Sequence, residues 1–259
     1  MQPLAIDLFC GLGGWTDGLL AEGYDVIGFD IEKHEYGDHR YQGKLVVQDV
    51  CTIHGSQFKG AALIVASPPC QEYSYMAMPW SLAKAKAKAI RADTTGEKLA
   101  ALTRLFNECF RIQREASFAA GRHIPMVVEN VRGAQPWVGR ARWNFGSFYL
   151  WGDVPALMPP TFCGVKVPSF RFDGSGGSFQ TASVRRTDPG KGARFTSRDC
   201  GVEGGIKQGG DWFNASQPSL SRLYGSKSPQ RKMASAMIAK IPLPLSRHIA
   251  AVYATPLAN

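Results

Sequence analysis

The chain has 259 residues, 44% of them hydrophobic, and a formal net charge of +9. That size and apolar content suit one large α/β domain, with or without a small appendage, and exclude wholesale disorder. The positive surplus points to a polyanionic partner, nucleic acid before membrane, because no apolar run approaches the roughly 20 residues that span a bilayer.

The N-terminus, Met1 to Asp7, lacks the basic leader of a secretory signal and runs directly into a strand. Cysteines stand at 10, 51, 70, 109, 163 and 200 with no CxxC pair. That spacing argues against a zinc ribbon or a disulfide framework and for a reducing cytosol.

Leu4 to Phe9 reads as a first strand, followed by the glycine turn Cys10-Gly11-Leu12-Gly13-Gly14. A helix over about 15–21 and a second strand over 26–29 come next, and that strand ends at Asp30-Ile31-Glu32. Strand, glycine turn, helix, strand and terminal acid make a βαβ nucleotide-binding unit. Glycines let backbone amides approach a ligand closely, and a strand-end acid accepts hydrogen bonds from ribose hydroxyls. The same glycines could equally serve a tight turn, with Asp30 solvated. The pattern is GxGG, not GxGxxG, which favours an adenosine ligand other than a dinucleotide.

Lys44 to Val47 is a third strand, leading to Gln48-Asp49-Val50, and Ala61 to Val65 a fourth. The alternation predicts a parallel sheet with right-handed crossovers. Ligands of such sheets bind outside the carboxyl ends of the strands, where Gly11, Asp30, Asp49 and Cys70 all fall. The fourth strand runs into Ala66-Ser67-Pro68-Pro69-Cys70-Gln71. Each proline fixes its own φ, and Pro69 also restricts Pro68. A cysteine on so stiff a mount is either a positioned nucleophile or a small apolar side chain packed under a loop.

Lysines recur at every second position from Lys84 to Lys88. On a helix they spread around the surface; the alternatives are a solvated face and a basic segment that closes on a phosphate backbone. Thr94 and Glu97 fit a capping box. Leu99, Leu102, Phe106, Cys109 and Phe110 then recur at helical spacing to a stop at Gly121. Pro125 to Val128 is a fifth strand that delivers Glu129-Asn130-Val131 to the rim that carries Cys70. Glu129 there is either a surface acid or a general acid. Arg140 and Arg142, two apart on an extended segment, clamp a phosphate or base, or snorkel.

From about 159 to 218 the composition shifts to glycine, serine and arginine, with Phe170, Phe172, Phe179, Phe195, Trp212 and Phe213 interspersed. This reads as a small loop-rich region suited to nucleic-acid contact, set between catalytic segments 1–158 and 219–259. A helical stretch near 232–237 and a terminal helix over 246–253 close the chain.

Taken together, these motifs resemble the cytosine-C5 DNA methyltransferases. Asp7-Leu8-Phe9-Cys10-Gly11-Leu12-Gly13-Gly14 is similar to the family's first motif. Asp30-Ile31-Glu32 and Gln48-Asp49-Val50 match the second and third, Pro68-Pro69-Cys70-Gln71 the catalytic motif, and Glu129-Asn130-Val131 the Glu-Asn-Val motif. The resemblance implies a Rossmann-like, S-adenosylmethionine-dependent methyltransferase fold with a small target-recognition region at 159–218. It implies S-adenosylmethionine as cofactor and S-adenosylhomocysteine as product. Phe9, Gly11, Leu12 and Gly13 would surround the methionine part, Asp30 would hold the ribose, and Ile31, Asp49 and Val50 would frame the adenine, with Pro69 a further cofactor contact. Cys70 would add to C6 of cytosine while Glu129 protonates or hydrogen-bonds N3. The base would have to leave the duplex to reach Cys70.

Two departures stand out. The family's Gln-x-Arg-x-Arg motif has no clean counterpart, and Arg140-Ala141-Arg142 is the best candidate. The final motif normally carries Gly-Asn before its prolines, whereas Met237 to Pro242 has neither residue. The compact length suits a phage or prophage orphan enzyme that acts on double-stranded DNA as a monomer in the bacterial cytoplasm, at the nucleoid. No metal site is expected. A tRNA cytosine-C5 methyltransferase and a catalytically silent DNA-binding homologue are the competing readings.

Overall fold

A computed structural model describes residues 2–74, 80–158, 232–233, 236–237 and 239–254. The strands, in chain order, are β1 (Leu4–Leu8), β2 (Asp25–Asp30), β3 (Glu35–Tyr36), β4 (His39–Arg40), β5 (Lys44–Val47), β6 (Leu63–Ala66), β7 (Met126–Asn130), β8 (Trp143–Phe145) and β9 (Phe148–Gly152). The helices are α1 (Gly14–Ala21), α2 (Trp80–Arg91), α3 (Glu97–Ala120), α4 (Gln135–Val138) and α5 (Leu243–Tyr253). Seven strands form one sheet in the order β5-β2-β1-β6-β7-β9-β8, and β3 and β4 pair apart from it.

From β5 to β7 neighbouring strands run parallel; β9 is antiparallel to both β7 and β8. The chain winds outward from β1 through β2 to β5, then returns to β6 and winds the other way. The order therefore reverses between β1 and β6, and a crevice opens at the carboxyl ends of those strands. The fold is Rossmann-like, as the sequence predicts. The fourth strand sits slightly later than expected, at Leu63–Ala66, and the first helix starts one residue earlier, at Gly14.

Both faces of the sheet are covered, which is why its central strands are almost continuously apolar. Ile6, Leu8, Ile64, Ala66, Met126 and Val128 pack under Phe106, Cys109, Ile112 and Ala116 of α3. Ala5, Val26, Leu63, Val65 and Val127 pack under Trp15 and Leu19 of α1 and Leu245 and Ile249 of α5. Cys109 is completely buried and structural. Leu99, at the start of the expected apolar face, is 39% exposed and lies beyond the core.

The capping box does not form. α3 starts at Glu97 after Gly96, and the Lys98 amide donates to Asp93 Oδ2 at 2.8 Å. A carboxylate is a stronger acceptor than a threonine hydroxyl and gains from the helix dipole, so Asp93 displaces Thr94 from the cap. The stop at Gly121 is as expected, with a left-handed φ of 64°.

α5 runs alongside α1, starting at Leu243 instead of 246. Tyr24 Oη donates to the Ala250 carbonyl at 3.0 Å, and Arg247 pairs with Glu22 at 2.8 Å. Gly14 and Gly18 make the approach possible: a Cβ on either would lie 2.3 Å from an atom of Ile241 or Ser246. The lysine run forms α2. Ala83 and Ile90 are buried, Lys88 is exposed, Lys86 pairs with Glu72, and Arg91 lies 5.2 Å from the centre of the Trp137 ring. The expected target-recognition region at 159–218 lies outside the described residues.

Candidate active site

The turn after β1 is built from three left-handed residues close together: Phe9 at φ 56°, Gly11 at 51° and Gly13 at 75°. Phe9 is the one non-glycine residue with positive φ among the described residues, a conformation that costs on the order of 1–2 kcal/mol. The strain folds the chain back so that the Gly11 amide donates to Asp30 Oδ2 at 2.9 Å. Space above Gly11 is open, since a Cβ there would meet nothing within 4 Å. Gly13 is closed by contrast: its Cβ would lie 3.0 Å from the Tyr41 ring. Leu12 is buried beside it.

Asp30 ends β2 and is 8% exposed. Besides Gly11, the Glu32 amide donates to Oδ1 at 3.3 Å and His34 Nε2 lies 3.4 Å from the same oxygen. Burial alone would raise its pKa, but the hydrogen bonds from His34, Gly11 and Glu32 outweigh it and hold the carboxyl below its ordinary value. The hydrogen bond to Asp30 in turn raises the His34 pKa against the effect of burial. Asp30 is thus a fixed anion with lone pairs left for hydroxyl donors. Ile31 beside it is 71% exposed and apolar. Asp49 caps its own turn by accepting from the Cys51 amide at 2.9 Å. The Val50 side chain is 2% exposed and sits in the core, so Val50 offers a ligand only its backbone.

The segment that carries Cys70 is tied at three points. The Ser67 amide donates to the Leu8 carbonyl at 3.1 Å, Trp15 Nε1 donates to Ser67 Oγ at 3.0 Å, and Asn130 Nδ2 donates to the Pro68 carbonyl at 2.9 Å. Pro68 is buried, Pro69 exposed and Cys70 half-buried. After it the chain turns, with the Tyr73 and Ser74 amides donating to the Cys70 carbonyl at 3.0 and 2.9 Å. Glu129 lies next to Asn130 on β7, is 8% exposed, and occupies the strand adjacent to β6. One strand end thus brings together the Cys70 loop, Glu129 and the glycine turn. Asn130 and Ser67 appear in the sequence within recognisable motifs, but their holding roles depend on side-chain direction. Trp15 gives no sequence signal at all.

Arg140 and Arg142 are both exposed, while Ala141 between them packs on the core, so the two guanidinium stems share a solvent-facing side. They precede β8, which pairs with β9 and not with β7. The fold therefore places them at the far edge of the sheet, two strands from Glu129. No cluster of three or more metal-ligating side chains occurs among the described residues.

Asp7, part of the first motif, is a buried acid on the central strand. It faces α1 from the middle of β1 with no exposure, accepting from Thr16 Oγ1 at 2.7 Å; Thr16 in turn bonds Tyr41 Oη at 2.7 Å. Its Oδ1 is buried with no hydrogen-bond partner. Burial raises its pKa to about 7, the Thr16 bond lowers it, and the charge of Asp30 adds to the rise. A raised folded pKa means that the stabilising proton is fully held below the unfolded value and lost as pH rises through the folded one. Between pH 3.8 and about 7, wild-type stability is therefore expected to fall relative to Asp7→Asn. From pH 4 to pH 8 the variant should gain about 4 kcal/mol of stability relative to wild type, measured by urea denaturation at both pH values. A difference that does not change with pH would show that Asp7 does not titrate in this range.

Sheet order, glycine turn and strand-end acid define a Rossmann-like fold of the S-adenosylmethionine-dependent methyltransferase type. The sequence profile of the C-5 cytosine-specific DNA methylases matches residues 4–134, just over half of the chain, and the chain belongs to that family. Among solved structures it is similar to a DNA modification methyltransferase encoded within an E. coli prophage, at 23% identity over 51% of this chain and 33% of that one, with a TM-score of 0.34. It is similar to the methyltransferase EhMeth of Entamoeba histolytica at 19% identity over 52% and 40%, with a TM-score of 0.32. It is also similar to a mutant DNMT2 of Spodoptera frugiperda at 18% identity over 52% and 37%, with a TM-score of 0.31. The matched part spans a third to two fifths of the length of these structures. A search of curated proteins found no match. No helix among the described residues is long and apolar enough to cross a membrane.

Proposed function

We propose that this chain transfers a methyl group from S-adenosylmethionine to C5 of cytosine in double-stranded DNA. The observation that carries the reading is the Asn130–Pro68 hydrogen bond, which links the Glu129 strand to the Cys70 loop beside the Gly11–Asp30 contact. Membership of the cytosine-C5 family supports it.

The residues fit the cofactor. Open space over Gly11 admits a ligand to the turn, and anionic Asp30 accepts from ribose hydroxyls. Exposed Ile31 supplies an apolar edge for adenine, and Asp49, the Val50 backbone, Phe9, Leu12, Gly13 and Pro69 complete the rim. When bound, the cofactor supplies an electrophilic methyl group.

Cys70, as thiolate, adds to C6 of a flipped cytosine and makes C5 nucleophilic. Glu129 donates to N3 and stabilises the charge that this addition develops. Once C5 carries the methyl group, it loses its proton to solvent, N3 returns its proton to Glu129, the Cys70–C6 bond breaks and the thiolate leaves. Arg140 and Arg142 contact phosphate from the sheet edge, and the 159–218 region reads a short DNA site. The enzyme acts as a monomer in the cytoplasm, at the nucleoid.

The test is transfer of tritium from methyl-labelled cofactor to duplex DNA or to tRNA. Label recovered as 5-methylcytosine in DNA is expected. Label in tRNA instead would replace the substrate, and label in neither would leave a silent homologue.

A further inference from the structure

The final segment lacks the Gly-Asn expected of the family, and Lys240 stands there instead. Its ammonium pairs with Asp17 Oδ2 at 2.6 Å. Asp17 lies in the first turn of α1, directly after the glycine turn. The pair lines a cavity of about 220 Å³ together with Leu12, Met237 and the Asp38–Arg40 hairpin. One water takes about 30 Å³ of liquid, so the cavity has room for several waters, or for one small organic group.

Four features make this a built site. The Lys240 backbone is fixed, because Ile241 lies directly against Gly14, at a separation that leaves no room for a Cβ on Gly14. Both charged side chains keep partial exposure, 26% for Lys240 and 29% for Asp17. An ammonium has three donors and a carboxylate about four acceptor positions, so each partner of the pair retains capacity. The cavity borders Leu12, whose neighbour Gly11 contacts Asp30, so it continues the same rim.

We propose that Lys240 and Asp17 form a preset clamp for the zwitterionic amino-acid end of the cofactor. Lys240 takes the carboxylate and Asp17 the ammonium, each opposite charge meeting its complement. Each ligand charge docks on the donor or acceptor positions that its partner leaves unused, beside a pair the protein already holds together, so little ordering remains to be done on binding. The clamp supplies by side chains the contact that the missing Gly-Asn would make. It rests on the S-adenosylmethionine reading above and adds to it the residues that recognise the methionine end.

Binding of two ligands by titration calorimetry separates the cases. S-adenosylhomocysteine carries the amino-acid end, and methylthioadenosine lacks it. Lys240→Met, which keeps the apolar stem, and Asp17→Asn should each weaken S-adenosylhomocysteine about tenfold or more, the scale of a charged hydrogen bond. Methylthioadenosine affinity should be unchanged, which also reports an intact fold. An unchanged S-adenosylhomocysteine affinity, or an equal loss for both ligands, would overturn the clamp. Wild-type protein that binds neither ligand would overturn the cofactor reading itself.

Discussion

Cys70→Ser is expected to lower methyl transfer by a factor on the order of 10⁴ or more while S-adenosylhomocysteine affinity stays within about twofold. The argument starts from the nucleophile. At neutral pH a thiol supplies a few per cent of thiolate, a strong nucleophile, whereas a serine hydroxyl supplies almost no alkoxide. The fold should tolerate the change. The loop is held through the Ser67 amide and hydroxyl and the Pro68 carbonyl, and the turn after it through the Cys70 backbone carbonyl. None of these bonds uses the thiol. Apart from Pro69, the cofactor residues sit at the ends of β1, β2 and β5 and not in the Cys70 loop, so their affinity reads out independently. The check is a denaturing gel of the complex with duplex DNA containing 5-fluorocytosine, in which the fluorine blocks release from C5. Wild-type protein should form a band that survives denaturation and the variant should not. A persisting adduct would mean that another nucleophile attacks the base.

Much of this site could be read in the sequence because strand ends are punctuated. Gly11, Asp30, Cys70 and Glu129 each follow a short apolar run, and a parallel sheet delivers all such ends to one edge. Direction along the chain was therefore enough to gather them. The sequence does not show what holds them there. The Trp15–Ser67 and Asn130–Pro68 bonds depend on side-chain direction across strands that are distant in the chain. Val50 shows the same limit: its motif predicts a place on the rim, but β-to-loop geometry turns its side chain into the core. Thr94 fails for an energetic reason, because the nearby Asp93 carboxylate outcompetes its hydroxyl for the Lys98 amide in the first turn of α3. Arg140 and Arg142 lead into an edge strand because β9 inserts between β7 and β8, an order that strand patterns alone do not encode. Asp7 does carry a plain signal, an acid within an otherwise apolar strand.

The seam between α1 and α5 is where a single methyl-bearing substitution should do most damage to stability. Gly18→Val is expected to destabilise the protein by at least about 3 kcal/mol, at the upper end for overpacking. Intrinsic propensity argues the other way, since valine in a helix interior is better than glycine by a few tenths of a kcal/mol. Packing decides the sign. Any Cβ at position 18 would sit 2.3 Å from Ser246 Oγ, 2.5 Å from the Arg247 amide nitrogen and 2.5 Å from the Ser246 carbonyl carbon. The hydroxyl could rotate away, but the backbone atoms cannot, so the two helices must separate. Separation loosens the packing of Trp15 and Leu19 against Leu245 and Ile249, all almost completely buried. Gly60→Ala provides the control: its Cβ would meet nothing within 4 Å and its φ is not left-handed, so the change should be neutral or stabilising by up to about 1 kcal/mol. Urea denaturation of both variants measures the difference. α5 also carries Ile241 and Lys240 at its entrance, so displacing it should enlarge the cavity between Lys240 and Asp17. Gly18→Val that remains folded at low temperature should therefore bind S-adenosylhomocysteine more weakly than wild type while binding methylthioadenosine alike. A variant that loses stability but keeps full S-adenosylhomocysteine affinity would show that the seam and the cofactor rim are mechanically independent.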